Sequence, residues 1–230
     1  ADLAMRYDTA PGDLVARELR TLGMPGPRIR TMGNGIDFKA ILRAEPMDRY
    51  ADAVMVGVRP NKGLHDIVPV WRELQRLRPG TTLHLMGGMS GVGALQSQIR
   101  AAGLEKVIRL RQPVGAYLPP DLYYRVLKGA GVLFAPSHEE GWGIAVCEAM
   151  GAGLPVVAYD LPVYRRIFDR AYEPVPCFEI AAFARRLAEV LDNPLRLRGL
   201  RQAGLLQAAR YDWDRIARED FESLRARAES

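Results

Sequence analysis

From about Ala53 onward, short runs of Val, Leu and Ile alternate with longer stretches whose apolar residues recur every three or four positions. Short apolar runs fit strands buried on both faces, and the 3.6-residue period fits helices laid against them. The alternation therefore predicts βα units and a parallel sheet. AVMVGV, ending at Val58, reads as the first strand. After the turn RPNKG, the residues Ile67, Val70, Trp71, Leu74 and Leu77 mark one face of a helix that Pro79-Gly80 stops. TLHLM is the second strand, followed by a turn containing Gly87, Gly88, Gly91 and Gly93 and a helix carrying Leu95, Ile99 and Ala102. VIRL is a short third strand. Pro119-Pro120 can only open a helix, here DLYYRVLKGA, and VLFAP is the fourth strand. GIAVCEAMGAG reads as a helix closed by glycine and PVVAY as the fifth strand.

Beyond Pro162 the strand pattern fades, and helical stretches follow around residues 180–192, 195–209 and 213–228. Five strands joined by helical crossovers predict a doubly wound parallel sheet, whose ligands bind at the carboxyl ends of the strands. The first 50 residues do not continue the series. DLVARELRTLGMP reads as one more helix, and RIRTMGNGID as a strand leading into a turn where Asn34-Gly35 suits positive φ. This stretch is expected to be the tail of a preceding unit plus a linker.

A 230-residue chain, 48% hydrophobic and 26% charged, has room for a full α/β core. No apolar run approaches the roughly 20 residues that span a bilayer, and ADLAMRYDTA lacks the basic and apolar regions of a signal peptide, so a soluble, cytoplasmic protein is expected, with a peripheral place at the inner membrane face as the variant. Cys147 and Cys177 form no CxxC pair; both are expected to be reduced, with Cys147 buried. His65, His84 and His138 are scattered, which predicts no metal site. The net charge of +5 rests almost wholly on Arg, a bias that fits phosphate-bearing partners and equally an Arg-rich proteome. Between Arg185 and Arg227 the basic residues alternate with acidic ones, so no one-sign stripe suggests nucleic acid.

The candidate chemistry lies in PSHEEGWGIAVCEAMGAGLPVVAY, from Pro136 to Tyr159. Glu140 falls on a glycine-loosened loop after the fourth strand, and Glu148 eight positions on, in the second turn of a helix that starts near Gly143. Backbone N–H groups around Gly143, Ile144 and Ala145 and the positive end of the helix dipole invite a diphosphate. Two carboxylates flanking an anion would repel it as ligands but can accept hydroxyl groups on either side, a sugar at Glu140 and a ribose at Glu148. The spacing alone equally describes a solvated helix start with acidic residues.

The same stretch resembles the EGFG...EAM.G.PVV signature of family 4 GT-B glycosyltransferases, with its E-x7-E arrangement and Trp142 in place of the usual Phe. GNGID resembles the end of that family's interdomain linker, AVMVGVRPNKG its VGR...KG strand and loop, TLHLMGG its next strand and glycine turn, VIRLRQPV the strand bordering the base, and YDWDRIARE the closing helix. The resemblance runs from about Arg28 to Arg227. It implies a Rossmann-like sheet forming the C-terminal, donor-binding half of a GT-B fold, with residues 31–210 the nucleotide-sugar-binding domain. Residues 1–30 would be the tail of the acceptor domain and linker, and 211–230 a helix crossing toward that domain. It further implies a retaining transferase working without metal or cofactor, with Glu140 at the transferred sugar and Glu148 on the ribose. Lys62 would lie on the diphosphate, with Arg59, Gly141, Trp142, Gly143 and Ile144 completing the donor site. Val58 stands where the family has the arginine of VGR, so Arg59 either reaches the phosphate or lies on the surface. Gly87, Gly88, Gly91 and Gly93 lack the G-x-G-x-x-G spacing and read as a tight turn bordering the donor cleft. Asp160 and Tyr164, just past the fifth strand, could line the same cleft or be plain loop residues, and neither is counted in the donor site. The implied partners are a nucleotide sugar, an acceptor of unknown class and the N-terminal domain of the same protein. A nucleotide-sensing module without transferase activity and a GT-B sugar-nucleotide epimerase are the alternatives; the epimerase would need its own acid/base residues, and no His/Asp or His/Glu pair near the glutamates supplies them.

Overall fold

The computed structural model describes residues 20–23, 34–110 and 118–228. Most of the helix expected over residues 13–25 and most of the strand expected over 28–37 fall outside these residues, as does the segment following the third strand.

Six parallel strands form one sheet: β1 (Ala51–Val58), β2 (Leu83–Met89), β3 (Ile108–Leu110), β4 (Ala130–Ala135), β5 (Val156–Tyr159) and β6 (Glu173–Val175), in the order β3-β2-β1-β4-β5-β6. The order reverses between β1 and β4. The helices are α1 (Phe38–Arg43), α2 (Ile67–Leu77), α3 (Val92–Ala101), α4 (Pro120–Gly129), α5 (Ile144–Gly151), α6 (Pro162–Phe168), α7 (Ile180–Leu191), α8 (Pro194–Ala208) and α9 (Trp213–Ala228). The doubly wound α/β architecture expected from the sequence is therefore present. No helix among the described residues is long and apolar enough to cross a membrane.

Alternation along each strand divides the core into two layers. Ala53, Met55, Leu83, Leu85, Val132 and Phe134 face Ile67, Trp71, Leu74, Leu95, Ile99, Phe183 and Leu187 from α2, α3 and α7. Val54, Met86, Leu133, Val156 and Ala158 face Ile41, Tyr124, Val146, Met150 and Ala208 from α1, α4, α5 and α8. Trp71 is fully buried, and its indole N–H donates to the Thr81 carbonyl at 3.1 Å, so the largest core side chain leaves no polar atom unpaired.

Three elements were not foreseen. β6 reads Glu-Pro-Val, and it is tolerated because an edge strand can carry proline. Glu173, 5% exposed, is held there by Arg186 and by Arg196 at 2.7 Å. α6 opens on Pro162, where the missing N–H costs nothing, and α1 is a six-residue helix capped by Asp37, whose carboxylate accepts from the Ala40 N–H at 2.8 Å. In addition, β2 runs through Gly87 and Gly88 rather than ending before them. Its pairing with β1 slips between Val56 and Val58, where Gly57 has φ +76° and Gly87 φ +83°. The glycines therefore form a bulge inside the sheet instead of a turn after it.

Candidate functional site

Where the strand order reverses, the loops after β1 and β4 leave in opposite directions, and the gap between them is the natural crevice of such a sheet. A cavity of about 620 Å³ opens there. All eight residues singled out from the sequence line it: Arg59, Lys62, Glu140, Gly141, Trp142, Gly143, Ile144 and Glu148. The backbone of Gly57, Gly87 and Gly88 also lines it, so the bulge places main chain where side chains would otherwise fill the space.

One end is organised around Glu140. Its Oε1 accepts from the Lys62 ammonium, from the Ser137 hydroxyl at 2.9 Å and from the Tyr164 hydroxyl at 3.0 Å. The Lys62 and Glu140 side chains are only 19% and 10% exposed, so this pair is largely shielded from water. Lys62 ends a one-turn 3-10 helix (Pro60–Lys62), and Gly63 follows with φ +80°. A Cβ on Gly63 would stand 2.1 Å from the Pro136 carbonyl oxygen, so only glycine lets the lysine loop lie directly against the glutamate loop. Two further bonds join the loops, from the His138 and Glu139 N–H groups to the Asn61 carbonyl at 2.9 and 3.3 Å. Below them the Asp66 carboxylate takes the Tyr159 hydroxyl and a ring nitrogen of His138, each at 2.8 Å. Arg59 is exposed and reaches the cavity wall.

The middle of the cavity is the start of α5. Gly143 stands at its N-cap with φ +100° and no capping side chain, and the first ladder bond runs from Cys147 N–H to the Gly143 carbonyl at 3.0 Å. N–H groups ahead of Cys147 therefore lie outside the ladder, at the positive end of the helix. A Cβ on Gly143 would come 2.7 Å from the Tyr164 ring, so glycine is required twice over. Trp142, 5% exposed, packs edge-on against Phe168 at 5.7 Å and Tyr211 at 5.0 Å. Its ring anchors the loop in the core as well as closing the cavity.

The other end is organised around Glu148, whose Oε2 accepts from the Tyr123 hydroxyl at 2.9 Å, with the Tyr124 phenol beside it on the cavity wall. Burial pushes the Glu148 carboxyl above its ordinary range, and the two tyrosine hydroxyls pull it back. Burial and the neighbouring carboxylate together push Tyr123 well up and Tyr124 to about 12, so both stay protonated donors. The adjoining Cys147 is fully buried, and its thiol is pushed up by the same two causes. Among the described residues no Lys or Arg pairs with Glu148, whereas Lys62 pairs with Glu140. The two glutamates thus occupy unlike settings, one salt-bridged and one held by phenols.

Three partners of these residues escaped the sequence reading. Tyr123 and Tyr124 had only a helical, core-facing pattern, and Ser137 carried no separate signal. Tyr164, open between a cleft and a loop role in the sequence, belongs to α6 and supports Glu140. Asp160, by contrast, pairs with Arg165 at 2.7 Å and Tyr172 at 2.8 Å and does not line the cavity. No cluster of three or more His, Cys, Asp or Glu side chains able to hold a metal ion occurs among the described residues.

Residues 43–206 match the family model described as glycosyl transferases group 1. Among similar proteins, a D-inositol 3-phosphate glycosyltransferase of Segniliparus rotundus is 29% identical over 82% of this chain and 43% of its own length. A glycogen synthase of Mycobacterium tuberculosis is 29% identical over 87% of this chain and 49% of its own. The chain thus spans less than half of either relative. Among solved structures, Anabaena Alr3699/HepE in complex with UDP and glucose superposes with a TM-score of 0.79 at 16% identity, covering 96% of this chain and 62% of that one. The pneumococcal O-GlcNAc transferase GtfA in complex with UDP and GlcNAc gives 0.75 at 18%, covering 96% and 44%. At such identities these two structures establish the fold alone, which is that of the sheet described above.

Proposed function

Because this chain belongs to the group 1 glycosyl transferases, we propose that it is the donor-binding half of a family 4 GT-B enzyme that transfers a sugar from a nucleoside-diphosphate sugar, with retention and without a metal. The observation that carries this reading is the three-part cavity: a lysine-paired carboxylate at one end, an open helix N-terminus in the middle, and a phenol-held carboxylate at the other. That sequence of chemistries matches sugar, diphosphate and ribose in order. The UDP present in the HepE and GtfA complexes supports the same guest.

In this reading Lys62, Arg59 and the N–H groups at Ile144 and Ala145 stabilise the departing diphosphate as negative charge gathers on its bridging oxygen. Glu140 accepts hydroxyls of the transferred sugar, and its carboxylate stabilises positive charge growing at the anomeric carbon. Glu148 holds the ribose and takes no part in the bond change. Residues 31–210 form the donor domain, with α9 leading back to an acceptor domain that seats the nucleophile.

Two measurements test the reading. Calorimetry with a chelator present should give tighter binding of UDP than of uridine; equal affinities would remove the anion site. Glu148→Ala should weaken UDP binding by about 1.5–3 kcal/mol, the worth of bonds to a charged acceptor, while Glu140→Ala should change UDP affinity little and abolish turnover of the full-length enzyme. Equal losses of UDP affinity would reverse or void the assignment of the glutamates.

A further inference from the structure

A half-buried carboxylate that no Lys or Arg among the described residues pairs with needs a reason to keep its orientation. At Glu148 it comes from α4. Tyr123 donates to its Oε2 at 2.9 Å from within the cavity wall, and Tyr124, next along the helix, lines the same cavity, the two rings 5.4 Å apart and tilted by 52°. An ionised carboxylate offers about four lone-pair positions, of which the Tyr123 hydroxyl occupies one.

We propose that Tyr123, backed by the neighbouring Tyr124 ring, is the positioning residue for Glu148, fixing its carboxylate so that the remaining acceptor positions meet the two hydroxyls of a vicinal diol. This deepens the donor-site reading and rests on it, the diol being that of the ribose. A phosphate would be repelled by this carboxylate, and a uracil edge offers it a single N–H, whereas a cis-diol presents two donors at carboxylate spacing. The Tyr123 phenol acts as a fixed bracket, because it keeps its proton near neutrality and need not touch the ligand.

Among the described residues other ionisable groups around Glu148 are few. Cys147 precedes it on α5, Asp37 at the head of α1 acts on Tyr124, and Arg59, Lys62 and Glu140 also line the cavity. Removing a phenol deletes an interaction that favours the ionised carboxyl, so the carboxyl takes up its proton at higher pH. Diol binding should then fail earlier as the solution is acidified.

The test is calorimetric titration of the full-length protein with UDP and with 2′,3′-dideoxyuridine diphosphate across the acid range, for wild type, Tyr123→Phe, Tyr124→Phe and Glu148→Gln. Tyr123→Phe should bind UDP roughly tenfold more weakly, part of the worth of a bond to a charged group, and the dideoxy compound as wild type does. In the ratio of UDP to dideoxy affinity, which cancels the titration of the shared diphosphate, the acid limb should move to higher pH in Tyr123→Phe and Tyr124→Phe and disappear in Glu148→Gln. If Tyr123→Phe melts too low to titrate, Tyr124→Phe carries the test, with a limb displaced in the same direction. Equal weakening of both ligands, an unmoved limb, or a limb that survives Glu148→Gln overturns the proposal while leaving the donor site standing. Failure of the wild type to bind UDP, or to prefer it to the dideoxy compound, overturns the ribose reading and this inference together.

Discussion

Replacing Lys62 with alanine should affect stability and ligand binding by separable amounts. In the folded protein the Lys62–Glu140 pair is 19% and 10% exposed, and the carboxylate keeps Ser137 and Tyr164 as donors when the ammonium is gone. Losing one partner of a fully buried pair costs about 3–5 kcal/mol; with two hydroxyl bonds retained, about 2–3 kcal/mol is expected for Lys62→Ala. A chain of this size loses roughly 2–4 °C per kcal/mol, which gives a fall of about 4–12 °C in melting temperature. Glu140→Gln should cost less, because the flexible ammonium can turn toward water while the amide oxygen still accepts both hydroxyls. The double variant should recover much of the Lys62→Ala loss, a coupling of roughly 1.5 kcal/mol or more. UDP binding should behave otherwise, falling about 10- to 150-fold in Lys62→Ala and not returning in the double variant, since no cation is restored. The assays are denaturant melts and UDP titrations of the four proteins. Additive stabilities would refute the shielded pair, and UDP affinity recovered in the double variant would show that Lys62 acts through Glu140 alone.

Gly143→Ala should destabilise by about 2–4 kcal/mol and abolish UDP binding, since a side chain at φ +100° would also meet the Tyr164 ring; a melt and one titration decide it. Glu148→Gln should melt above wild type at neutral pH. The folded carboxyl is raised above its ordinary 4.5, so its favourable contribution is complete below that value and lost as pH rises through the raised one, and the gain should vanish on acidification. Under native conditions a thiol reagent should modify Cys177 slowly and Cys147 only on unfolding, because burial raises both thiols and Cys147 is fully enclosed; mass spectrometry of the labelled peptides checks the order.

How legible the molecule was in its sequence depended on what each residue's type reveals by itself. Strands β1, β2, β4 and β5 showed as apolar runs because both of their faces are covered. β6 did not show, because Glu173 and Pro174 are poor strand residues, admitted by an edge position and by an ion pair to Arg186 and Arg196 that forms only in the folded chain. In the site, Glu140 and Lys62 stood out as charged residues next to glycines, and Glu148 through the family signature that surrounds it. Tyr123 was hidden because an aromatic residue in a helical pattern looks the same whether its hydroxyl meets solvent or a carboxylate. The role of Tyr164 stayed open because α6 is too short to show a period. The charged members of the site were visible locally, and the neutral ones that orient them became visible only through long-range contact.

The contact between Gly63 and Pro136 bears on how this pocket can diversify. Where two loops meet through side chains, a shorter or longer residue changes their separation; here main chain meets main chain, and no atom remains to be trimmed. The lysine loop and the glutamate loop are therefore one mechanical unit, and any lineage that keeps the contact keeps the spacing of cation and carboxylate. Freedom to accept a different guest passes to the opposite wall, where Leu118, Tyr123 and Tyr124 also border the cavity. Exchanges there can reshape the nucleoside end while the charged end is held constant, so relatives with different donors should differ first along the opening turns of α4.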